Sequence, residues 1–166
     1  MNVFRWLSLV LYTAIIATQV FGIRTATADV SSDLKLLASY RLTDEKADKW
    51  AQATRNLVQV LKKHPELAYA KDKVDVNKAS ISTIAAWYDS KPKIKQAINA
   101  AGMSSQEYTT FLFSLIQAGM GASLAQSRGL DKLPEGIPRK NVEYYIVHED
   151  KLNALGQQLR QLAPNE

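Results

Sequence analysis

Two histidines, His64 and His148, are the side chains of this chain most able to move a proton or hold a metal near neutral pH. His148 precedes Glu149 and Asp150 and lies one helical turn beyond Tyr144, so an acid–base pair with Glu149 or Tyr145 is conceivable chemistry there. A metal would need His64, His148 and a carboxylate such as Glu149 to converge, and the HExxH spacing is absent because the segment reads His148-Glu149-Asp150-Lys151-Leu152. Haem would call on His148 with His64 or Met120 as its second ligand. The plainer reading makes His64 a favourable cation at a helix C-terminus and His148 a hydrogen-bonded neighbour of the tyrosines. Paired carboxylates Asp44/Glu45 and Glu149/Asp150 fit the positive ends of helices or a solvated surface better than a catalytic pair.

Other chemistries lack their parts. The chain has no cysteine, which removes disulfides, thiolate metal sites and Cys nucleophiles together. No GxSxG elbow and no Gly-rich phosphate loop after a strand are present. An enzyme is therefore not expected, and neither a catalytic residue, a metal site nor a cofactor is assigned. Two of the net +5 charges, Arg5 and Arg24, fall in the first 28 residues, leaving +3 on the remainder. That charge is mild, and its lysines are interleaved with acids over residues 44–49, so nucleic-acid binding is not expected.

The elements that must position these groups begin after residues 1–28, which read as a cleavable signal peptide. Arg5 supplies the positive start, Leu7–Ala17 the apolar core, and Ala26-Thr27-Ala28 a small-x-small cleavage site before Asp29. The rival, an uncleaved anchor, needs about 20 apolar residues, and this run is shorter and holds Ser8, Thr13, Thr18 and Gln19. A periplasmic or secreted location follows, with 29–166 as a single helical domain and no stable membrane span after cleavage.

Within that domain, residues 29–42 read as a lead-in with a helical turn. Thr43 caps a helix whose apolar stripe (Ala47, Trp50, Thr54, Leu57, Val58, Leu61) ends before Pro65. Pro65 opens a short segment through Lys71, and 72–79 read as loop. Ser80 and Ser90 are expected caps for two short helices, with Pro92 in the first turn of the second and Gly102 behind it. Ser104-Ser105-Gln106-Glu107 is a capping box opening the most apolar helix, to about Ser127. A last helix over 140–162 carries Val142, Ile146, Leu152, Leu155, Leu159 and Leu162, a stripe that either packs on the same bundle or continues onto a second subunit. These elements predict an all-α compact bundle of four to five helices.

Tyr108–Gln126 carries no charge, yet Thr109, Thr110, Ser114, Gln117, Ser123 and Gln126 interrupt it, which favours a buried central helix over a membrane span. Gly119 and Gly121 inside it each cost about 1 kcal/mol against alanine. Close helix crossing is the favoured compensation; a pocket wall for a flat apolar ligand is the alternative. If a groove lies between this helix and the last one, Phe113, Met120, Tyr145 and His148 are its candidate ligand-binding contacts. The partner is expected to be an unidentified protein or envelope component, with a small apolar ligand as a further candidate.

Three segments carry a resemblance: Ala101-Gly-Met-Ser-Ser-Gln-Glu-Tyr108, Leu133-Pro-Glu-Gly-Ile-Pro138 and Asn141-Val-Glu-Tyr-Tyr-Ile-Val-His148. Their order resembles that of small exported helical proteins of Gram-negative bacteria with no assigned activity, over most of residues 40–155. The resemblance implies compartment and helical fold, and it adds no site. The sequence thus points to a non-enzymatic binding or interaction module, with a metal- or haem-binding protein and an enzyme using His148 as the alternatives.

Overall fold

The structure, a computed structural model, describes residues 26–67 and 79–162, with side chains over 31–67 and 79–159. Among these residues the chain is all-helical and contains no strand. Seven α-helices follow in order: α1 (Ala26–Ser39), α2 (Asp44–Lys63), α3 (Ile81–Asp89), α4 (Pro92–Asn99), α5 (Ser105–Arg128), α6 (Arg139–Val147) and α7 (Glu149–Leu162). Short 3₁₀ turns stand at Pro65–Leu67 and Leu130–Lys132. The expected leader falls on residues outside the described ones, except Ala26–Ala28, which open α1. Most of the expected Pro65–Lys71 segment and of the 72–79 loop lies outside them too.

The helix count exceeds the expected four to five for two local reasons. The lead-in forms a full helix rather than one turn, and the last helix breaks in two at His148. His148 leaves helical geometry at φ −107 and ψ 14. Its N–H closes α6 on the Tyr144 carbonyl at 3.0 Å, and its own carbonyl accepts the first bond of α7 from Leu152 at 2.9 Å. Glu149 and Asp150 then sit at the positive start of a new helix, which favours beginning one there.

Start signals act as the side chains require. Thr43 Oγ1 accepts from the Lys46 N–H, Ser80 Oγ from Thr83, and Ser104 Oγ from Glu107. Ser90 departs from expectation. It closes α3, its hydroxyl donating to the Trp87 carbonyl at 2.7 Å, and Lys91 takes the capping position of α4 with no side-chain cap bond. Pro92, whose ring presets helical φ, opens α4 in its place. Gly102 follows at φ 75, the left-handed conformation expected of it.

The helix α5 is the centre. It packs on α1, α2, α3, α4 and α6, and Tyr108, Thr109, Thr110, Phe111, Ser114, Ala118 and Gly119 are among its buried residues. No helix of the described residues is long and apolar enough to cross a membrane. At the heart of the core the Trp50 ring of α2 stacks on Tyr108 and Phe111 of α5, with centroids 6.0 and 5.5 Å apart, and Tyr88 of α3 meets Tyr108 edge-on. Such aromatic pairs add roughly 0.5–1.5 kcal/mol each beyond the area they bury. The Tyr108 hydroxyl is satisfied by Thr54 Oγ1 at 3.1 Å, and burial pushes its phenol up to about 12. Leu152 and Leu159 of α7 are buried in this same bundle and Leu155 packs against it, so this part of the apolar stripe is used within the chain; the Leu162 side chain lies outside the described ones. Ile146, expected on that stripe, is instead 39% exposed. The break at His148 separates the register of α6 from that of α7, and Val142 and Tyr145 take the inward positions.

Candidate functional site

The small residues of α5 meet α6 and the loop before it. A side-chain carbon on Gly121 would lie 2.6 Å from Val142 Cγ2 and 3.1 Å from Ile137 Cγ2. One on Gly119 would lie 3.1 Å from the Tyr145 ring. The two glycines therefore admit α6 and its approach loop closer than alanine would allow, which offsets their low helix propensity. Gln117 reinforces the contact, its amide donating to the Gly136 carbonyl at 3.1 Å.

The four residues singled out as contacts occupy different surroundings. Tyr145 is buried, its ring over Gly119. Phe113 is half-buried against the core. Met120, between the two glycines, is 57% exposed. Phe113, Ile116, Met120 and Leu124 recur three or four residues apart, so they share one face of α5, and all but Met120 are half-buried.

His148 turns toward α2 and belongs to a polar cluster there. Its ring stacks on Tyr144 with centroids 4.2 Å apart, and Nδ1 lies 2.9 Å from the Tyr144 carbonyl. A carbonyl only accepts, so Nδ1–H is the donor in that contact, and Nε2 faces Asp44 Oδ2 at 3.5 Å. Asp44 Oδ1 accepts from Lys151 Nζ at 2.8 Å and from the Tyr144 hydroxyl at 3.3 Å. Lys151 also lies 3.6 Å from Asp48. The Lys151 hydrogen bond and charge, aided by His148 and the Tyr144 hydroxyl, hold the Asp44 carboxyl below the usual carboxylate range. Burial and the Asp44 charge push the Tyr144 phenol up. Asp44 is also the first residue of α2, where the helix dipole welcomes a negative charge. The cluster joins the start of α2 to the α6–α7 corner.

His64 has other partners. Its Nδ1 lies 3.1 Å from Glu66, and its Nε2 lies 2.9 Å from Lys93 Nζ. Among the described residues no three histidine, aspartate or glutamate side chains gather as a metal's donor set.

One residue escaped the sequence reading. Asn141 is 1% exposed, and its amide holds the connection between α1 and α2 at two points. Oδ1 accepts from the Leu42 N–H and Nδ2 donates to the Tyr40 carbonyl, both at 3.0 Å. Nothing in its sequence context signals this, because an asparagine in the first turn of a helix ordinarily reads as a surface residue. No family model, curated protein or solved structure matches the chain.

Proposed function

We propose that this chain is an exported, non-enzymatic interaction module that engages a partner protein of the cell envelope through the uncharged face of α5. The observation that carries this is the exposure of Met120, a large apolar side chain, on the central helix, aligned with half-buried Phe113, Ile116 and Leu124. Methionine is suited to such a surface, since its flexible thioether adapts to a partner's contours. In contrast, Asp44, Tyr144, His148 and Lys151 are bonded to one another in a contact that joins helices, a structural use of those groups. Export rests on the Arg5, Leu7–Ala17 and Ala26–Ala28 pattern.

The test places a photo-crosslinking residue at Ser123, beside the face, in cells, with Met120→Glu as the challenge. The wild-type background is expected to yield a discrete adduct that M120E loses while its urea midpoint stays unchanged. An adduct that survives M120E overturns the assigned face. Turnover by the purified protein that His148→Ala abolishes overturns the non-enzymatic reading. The intact mass of the exported protein is expected to be that of a chain starting at Asp29, and retention of residues 1–28 would refute cleavage.

A further inference from the structure

We infer that α1 is a removable strap: a helix docked along α5 that opens as a unit, hinged at residues 40–42, while the rest of the bundle stays closed. Three observations converge on it.

The first is burial. Over the side chains described in α1, residues 31–39, none is buried; Asp33, Leu36 and Leu37 reach half-burial, and Leu34 is 51% exposed. Each of the other six helices contributes buried residues to the interior. Tyr40, just past the end of α1, is the first residue of the described chain to pack against the core. Dehydration of apolar surface, the main force that holds a helix to its neighbours, is therefore small for the described side chains of α1.

The second is the means of attachment. Asp33 Oδ2 accepts a 2.9 Å hydrogen bond from the Ile81 N–H, at the start of α3. A carboxylate there receives an N–H that the helix itself leaves unpaired and is favoured by the helix dipole. This polar pin can be exchanged for water, so it defines a docked geometry at little cost to leaving it.

The third is the stop. Asn141 grips the Tyr40 carbonyl and the Leu42 N–H from within the core. Loosening of α1 thus ends at the hinge. Once off α5, α1 is marginal in water at 14 residues, and shorter still in a chain that starts at Asp29, so its undocking and unravelling occur together. Opening bares the side of α5 that α1 covers, a surface additional to the Met120 face. This inference stands apart from the proposed partner binding.

Native-state hydrogen exchange on the full chain tests it. Amides of α1 up to Tyr40 are expected to be at least about a hundredfold less protected than the core amides of α5. The Leu42 amide, bonded to Asn141, should behave with the core. Asp33→Ala, which places a better helix former in α1, should nonetheless speed exchange of α1 and of the Ile81 amide by about tenfold, leaving α5 unchanged. Equal protection of α1 and α5 in the wild-type protein would overturn the inference without any variant. So would an Asp33→Ala effect spread evenly over α1 and α5.

Discussion

Replacing Gly121 by alanine sets two local effects against each other. In a helix interior the change ordinarily stabilises by about 1 kcal/mol, because alanine loses less backbone freedom on folding. Here the added methyl would stand 2.6 Å from Val142 Cγ2 and 3.1 Å from Ile137 Cγ2. Real side-chain carbons essentially never approach to the first distance, and Val142 is fully buried with a β-branched side chain that is stiff about its first bond. Overpacking of this kind costs about 1–3 kcal/mol, and two simultaneous contacts favour the upper part of that range. The net expectation is a loss of about 1–2 kcal/mol in urea unfolding, with Tm lowered by about 3–6 °C. A double-mutant cycle with Val142→Ala isolates the cause. Val142→Ala alone leaves a cavity and costs about 2 kcal/mol, whereas in the Gly121→Ala background the new methyl fills that space, giving a favourable coupling of about 1–2 kcal/mol. A Gly121→Ala protein as stable as the wild type or more so would refute the close-crossing argument. Additivity in the cycle would locate the strain away from Val142.

Two further substitutions probe the connections to α2. Asn141→Ala leaves the buried Leu42 N–H and the Tyr40 carbonyl without their partner and is expected to cost about 2–4 kcal/mol, read from the shift in urea midpoint at constant slope. Asp44→Asn tests the polar cluster through pH. Because the folded carboxyl is held below its ordinary value, its stabilising effect is complete above that value and is lost as pH falls through the folded one. The variant should therefore match the wild type more closely below about pH 4 than at neutrality, and a difference that does not narrow in acid would show that the Asp44 charge plays no part.

Much of this architecture is written in local signals. Thr43, Ser80 and Ser104 announce their helices because a hydroxyl one residue before a helix has an unpaired N–H within reach, a relationship set by the backbone alone. Trp50, Leu57 and Val58 fall inward because helical period is also local. The crossing at Gly119 and Gly121 is legible for a related reason, since glycine in mid-helix carries a cost that needs an external cause. What remained hidden depends on tertiary partners. Ser90 looks like a cap, yet it turns back to the Trp87 carbonyl. The break at His148 has no proline or glycine to mark it, and Ile146, just before it, lies outward. The sequence groups His148 with Phe113 and Met120, while in the structure it faces Asp44, more than a hundred residues earlier. No periodicity along one helix shows which neighbour a side chain at its corner will face.

The Asn141 amide closes on groups 99 and 101 residues earlier in the chain. During synthesis, therefore, the Leu42 N–H and Tyr40 carbonyl have no native partner until α6 has been made. At roughly 5–20 residues per second, the interval between translating these two regions is on the order of 5–20 s. For the greater part of it the Trp50 segment waits for Tyr108 and Phe111 of α5, and the start of α2 waits beyond it for Lys151. These contacts of the α1–α2 connection and of the start of α2 therefore stay unmade until α6 and the first turn of α7 exist, which gives chaperones a long window in which the bundle has not yet closed.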